Sequence, residues 1–209
     1  MTKISSRSTR YDAERRYDQL CRQVFEATQD KFLQDLGIEI HLDTIDDAAI
    51  KEADRWPEQV EPERIARWSW GKVVAHYRRR ARRLEVAFYL VSEDESLTLW
   101  GLLVGRFSKS RVVASIHFLA RGPIVANVPF TVAAVIYLQQ HAAALGCKTI
   151  SINKPIPELV QYYMDLGFTS VIWKQGRIDR LEADRERIVV YVTDEAEEGD
   201  DESSIYQST

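Results

Sequence analysis

Long hydrophobic runs are missing from this chain. No apolar stretch reaches the about 18 residues that suggest a membrane-spanning helix, so no membrane association is expected. The opening residues, MTKISSRSTRYDAERR, lack the apolar core of a secretory signal, and a cytoplasmic protein is the expectation. Cysteine is scarce too. Cys21 and Cys147 make neither a disulfide framework nor a metal cluster, and no metal is expected. Cys147, at the head of an apolar run, reads as a buried, inert thiol. Nucleotide phosphate loops and Ser-His-Asp patterns are absent as well. Gly71-Lys72 stands without the rest of a P-loop.

Basic residues are missing from one end. From Asp194 onward there are seven acids and no Lys or Arg; the whole chain has net charge −4, so the remainder carries about +3. That acidic end lacks apolar residues to bury and is expected to be a solvated tail. The rest, within a chain of 209 residues that is 45% hydrophobic and 29% charged, suits one domain with a sizeable core.

What is present is a readable order of elements. Tyr17, Leu20, Val24, Phe25, Phe32 and Leu36 recur at helical spacing over 11–36, and Gly37 ends that helix. Ile38 to Leu42 alternates as a short strand, with Asp43 or Thr44 as the cap of a helical turn over 46–54. Trp56-Pro57 is a break, and 61–84 predicts a second long helix ending in the arginines Arg78 to Arg83. Positive charge there offsets the helix dipole; a nucleic-acid patch is the weaker reading, because no aromatic run accompanies it.

Three apolar strands follow, 85–91, 97–107 and 112–120, joined by short polar turns. That pattern predicts an antiparallel meander, with Gly101 and Gly105 as bulge points. Pro129 to Leu145 is an Ala-rich helix, apolar nearly all round, stopped by Gly146. It crosses to a strand at 148–152, and a crossover helix implies parallel pairing. Pro155 and Pro157 open a short helix over 158–166, with Leu159, Tyr162 and Leu166 on one stripe and Gly167 as its stop. Strands at 171–174 and 187–193 close the sheet, with GRIDRLEADRE between them as a polar loop or short helix. The class is α+β, a mixed and mostly antiparallel twisted sheet flanked by helices.

The segments ALGCKTISI and YYMDLGF resemble the C-terminal half of the GNAT superfamily, the acyl-CoA-dependent N-acyltransferases. The resemblance covers about residues 56–193, which makes 1–55 an N-terminal helical extension and 194–209 the tail. It implies acetyl transfer from acetyl-CoA to an amine by direct attack, with acetyl-CoA as co-substrate. In the family's Tyr-x-x-x-Gly-Phe pattern the Tyr protonates the departing thiolate, and here that position is Tyr163. A phenol of pKa near ~10 stays protonated at neutral pH. The bland alternative is that Tyr162 and Tyr163 pack in the core.

The same resemblance lays the pyrophosphate loop on Ala126, Asn127, Val128, Pro129, Phe130 and Thr131. A helix start offers unpaired N–H groups and partial positive charge. The family's glycines are absent here, and Pro129 has no N–H to give. Asn127-Val128-Pro129 is also a sound helix start with no ligand. Leu119 and Arg121 are where the carbonyl-binding amides would lie, and Asn153 joins the cofactor set by resemblance. No carboxylate stands on the 112–120 strand. His117 is its titratable side chain and the candidate base, with Glu85 second. A lone His in an apolar strand is more often structural. The rival reading is a GNAT-derived binding protein without catalysis. Trp56, Trp68 and Trp70, if exposed, would mark a homodimer interface.

Overall fold

Helix α1, Ser5–Leu36, ends where Gly37 turns to φ 65° and its N–H bonds back to the Leu33 carbonyl at 2.9 Å. Only glycine takes that left-handed turn without strain. A computed structural model describes residues 5–56, 69–79, 82–124 and 130–188, and side chains in α1 at residue 12 and from residue 14 onward. The order continues with β1 (Ile40–Asp43), α2 (Asp47–Ala53), α3 (Trp70–Arg78), β2 (Arg83–Val91), β3 (Leu97–Phe107) and β4 (Val113–Arg121). Then come α4 (Phe130–Ala144), β5 (Thr149–Asn153), a 3-10 turn (Pro157–Leu159), α5 (Val160–Asp165), β6 (Ser170–Lys174) and β7 (Arg177–Asp184).

The strands form one sheet in the order β1-β2-β3-β4-β5-β7-β6. Every neighbouring pair is antiparallel except β4 and β5, as the crossover through α4 requires. This is the α+β architecture that the acyltransferase resemblance implies, and β1 supplies a first strand at the sheet edge, after the N-terminal helix. Two layers cover the sheet. Helices α1 and α4 and the turn into α5 bury one face through Phe25, Phe32, Tyr137, Tyr163 and Phe168. Helices α2 and α3 cover the other over β2 to β4, through Trp56, Trp70, Val74 and Tyr77. Helix α4 is buried nearly all round because it lies between the sheet and α1.

Several expectations change. The cap of α2 is Asp46, whose carboxylate accepts from Ala49 N–H at 2.7 Å; Asp43 instead holds Thr44 N–H. Of the long helix expected over 61–84, the described residues show α3 at Trp70–Arg78, with Ser69 extended before it; 61–68, 80 and 81 lie outside the described residues, and the chain is already extended at Arg83, because Leu84 and Val86 are needed in the sheet core. GRIDRLEADRE carries β7, with Ile178, Leu181 and Ala183 facing the core between charged residues. The charge hid the alternation. Of the strand expected at 187–193, Arg187 and Ile188 are not in a strand, and 189–193 lie outside the described residues. Trp56 and Trp70 are 4% and 3% exposed, so neither marks an interface; Trp68 lies outside the described residues. In the short helix a 3-10 first turn shifts the phase. Tyr163 and Leu166 are buried, whereas Leu159 is 39% exposed.

Candidate functional site

The ladder between β4 and β5 holds four residue pairs, from Val113–Thr149 to Ile116–Ile152. A hydroxyl pair, Ser115 and Ser151 at 2.7 Å, closes its buried polar face. The strands then part. β4 runs on to Arg121 against β3, while Asn153 pairs with Arg180 of β7 and Lys154 N–H bonds to Asp179 at 2.8 Å. The described residues place no strand beside Leu119 to Arg121 on the β5 side.

The parting begins at a β-bulge. Val104 faces Phe118 and Gly105 faces Ile116, so His117 is the extra residue in β4. Gly105 makes this feasible: a Cβ there would sit 2.2 Å from the Ser115 carbonyl oxygen. His117 is turned toward α3, where the Tyr77 ring meets it edge-on at 5.7 Å and meets Phe118 at 5.8 Å. Across the gap, Asn153 Nδ2 lies 3.5 Å from His117 Nδ1. Asn153 thus stands beside the candidate base.

Tyr163 lies on the opposite sheet face, in the core that α5 shares with α4. It is 6% exposed, and its ring meets Phe168 at 6.4 Å and Tyr162 at 5.9 Å. Burial, with Tyr162 beside it, pushes its phenol up to about 12. It therefore keeps its proton across the whole neutral range. Tyr162 is half-buried; burial raises its phenol above the ordinary value, and the Thr131 hydroxyl near it acts the other way.

The Phe130 ring is spent in the core. It packs edge-on against Phe88 at 5.1 Å and Trp100 at 5.3 Å, and it fills the space where a side chain on Gly101 would stand. Among the described residues at the start of α4, this leaves the backbone of Phe130 and the part-exposed Thr131 to face a ligand. Ala126, Asn127 and Val128 lie outside the described residues. Glu85 is away from the gap. It is 7% exposed and takes Arg78 Nε at 3.3 Å and Arg83 Nε at 3.9 Å, the partners of a structural ion pair. Among the described residues, no group of three or more His, Cys, Asp or Glu is placed to hold a metal ion, and no helix is long and apolar enough to cross a membrane.

Tyr77 had no place in the sequence reading beyond the apolar side of its helix. Nothing local signals its contact with His117, because the bulge that turns His117 is set by β3. The glycine opposite the bulge was the one available sign.

No family model and no curated protein sequence matches the chain. Solved structures do match it. A domain from Methanocaldococcus jannaschii superposes with TM-score 0.50 at 13% identity, over 70% of this chain and 99% of that one. A chimeric spermidine N-acetyltransferase SpeG from Vibrio cholerae and a human enzyme gives 0.49 at 12% identity, over 70% and 96%. The PaiA N-acetyltransferase from Thermoplasma acidophilum, in complex with coenzyme A, gives 0.48 at 12%, over 70% and 99%. At such identities the likeness is one of fold.

Proposed function

We propose that the protein transfers an acyl group from acetyl-CoA to an amine. The observation that carries this reading is the parting of β4 and β5 beyond Ile116 and Ile152. It leaves a slot between two parallel strands, walled by strand backbone. Successive N–H groups of a strand point to alternate edges, so Leu119 to Arg121 offers donors to a thioester carbonyl lying in the slot. Acetyl-CoA would lie along β4 with its pyrophosphate toward the first turn of α4 and Thr131. The amine would approach from the His117 face and attack the carbonyl carbon, and the C–S bond would break. Tyr163, on the other face, would give its proton to the leaving sulfur. His117, beside Asn153 and Tyr77, would take the proton from the amine.

Calorimetric titration of the full chain with acetyl-CoA tests this. Saturable binding in the micromolar range, followed by CoA release with an amine panel, supports it. No binding at millimolar acetyl-CoA retires it.

A second reading is a binding protein of the same fold without catalysis. Phe130 favours it, because a loop anchored by a buried aromatic ring has less room for a phosphate than one built from glycine. CoA binding without turnover would be its signature.

A further inference from the structure

A cavity of about 500 Å³ opens on the α2 side of the sheet, between α2, the β2–β3 hairpin and the chain leaving β4. Its walls are aromatic and aliphatic, Trp56, Tyr89, Leu97 and Leu99, with two polar groups, Glu52 and Thr98. That size is within the range of small-molecule sites.

The walls are braced before any ligand arrives. Trp56 is 4% exposed, and its ring lies against Gly122, where a Cβ would come within 3.2 Å of it. Gly122 is itself fixed by its N–H bond to the Trp100 carbonyl at 2.8 Å. Tyr89 packs against the His41 ring at 6.0 Å.

Among the described residues the lining carries charge of one sign. Among the described lining residues none is cationic, and Glu52 is the ionised one. Burial, with Asp46 and Asp43 acting from outside the lining, raises the Tyr89 phenol above its ordinary value. Arg55, 3.8 Å from Glu52, is its counter-charge among the described residues, and the Arg55 side chain is 67% exposed. A solvated pair at that separation holds Glu52 weakly. Two aromatic rings, apolar walls and one weakly held carboxylate in one lining match the chemistry of an organic cation.

We infer that this cavity binds a small organic cation, an ammonium group carrying an apolar body. The inference stands apart from acyl transfer, since the cavity includes neither Tyr163 nor His117.

The probe is benzyltrimethylammonium, titrated into the full chain at low salt and read by calorimetry. Its quaternary nitrogen has no proton to lose and no acyl donor is present, so the outcome does not depend on acetyl-CoA use. Benzenesulfonate, similar in size and opposite in charge, is the control. Glu52→Gln removes the charge at a half-buried position. Leu97→Arg places a cation at the rim, where Leu97 is 51% exposed. The expected result is saturable binding of the cation alone, weakened about tenfold by Glu52→Gln, which corresponds to about 1.4 kcal/mol, and abolished by Leu97→Arg. Circular dichroism confirms the fold of each variant; should Leu97→Arg not fold, Glu52→Gln decides. The inference is overturned by no saturation up to about 10 mM, a range that covers weak ligands. Equal binding of benzenesulfonate, or an unchanged affinity in Glu52→Gln, overturns it too.

Discussion

Asn153 Nδ2 stands 3.5 Å from His117 Nδ1, across the gap where β4 and β5 part. Neither residue belongs to the paired ladder between those two strands. The contact exists because a bulge turns His117 out of register while β5 is drawn toward β7. If His117 is the base, its ring orientation rests on Asn153. Asn153→Ala is expected to lower kcat about tenfold and shift the acid limb of the pH–rate profile, with KM for acetyl-CoA little changed. A change in KM alone would instead place Asn153 on the cofactor.

Tyr163 is the proposed acid. Tyr163→Phe keeps the ring against Phe168 and removes only the hydroxyl. Turnover is expected to fall at least about 100-fold, the lower range for general acid catalysis, with little change in melting temperature. With the phenol pushed up to about 12, the wild-type proton is held below that value and lost only as pH rises toward it. Loss of the acid should therefore not limit the rate anywhere from neutral to moderately alkaline pH. An undiminished rate in the variant would remove Tyr163 from the chemistry.

Gly101 gives up its side chain to Phe130. A Cβ there would come within 2.2 Å of the ring, too close for any small adjustment. Gly101→Ala is expected to cost about 1–3 kcal/mol of stability, the range for overpacking. Phe130→Ala, which empties the same space, should cost about 3–5 kcal/mol. Urea unfolding measures both. Equal stability of Gly101→Ala and the parent would mean that the helix start moves freely.

Glu85 was a candidate base by position in the sequence, yet it sits between two arginines. Glu85→Gln is expected to lower stability by about 2 kcal/mol, because Arg78 and Arg83 lose a charged partner at a buried site. Its effect on the pH–rate profile should be nil. A rate loss at unchanged stability would reverse that assignment.

His141 is fully buried, with Nδ1 2.9 Å from the Tyr137 hydroxyl and Nε2 lacking a hydrogen-bond partner. Burial lowers its pKa to about 4, against an ordinary value near 6.5. The unfolded chain therefore takes a proton that the folded one refuses. Stability should be steady above pH 6.5, fall as pH drops below it, and level off below about 4, a loss of about 3 kcal/mol from this one group. Chemical denaturation across that range checks the slope, and His141→Phe should flatten it.

Much of the fold was legible because local patterns carried it. Gly37, Gly146 and Gly167 take positive φ where the helices stop, as the sequence spacing indicated. The meander, the crossover helix and the parallel β5 follow from apolar runs and connection lengths, which depend on the chain alone. β7 was missed because its core-facing Ile178, Leu181 and Ala183 are separated by charged residues that salt bridges and solvent accommodate.

What the sequence determined by itself was the inventory: an α+β chain with a Tyr before a Gly-Phe helix end and one His in an apolar strand. What tertiary structure decided was which of those residues meet. The His117 bulge needs β3 beside it, its contact with Tyr77 needs α3, and the gap needs β7 to draw β5 away from β4. Phe130 became core because Gly101, 29 residues earlier, left a vacancy under it. Register and long-range packing are energies of pairs, and no single stretch of sequence contains both members.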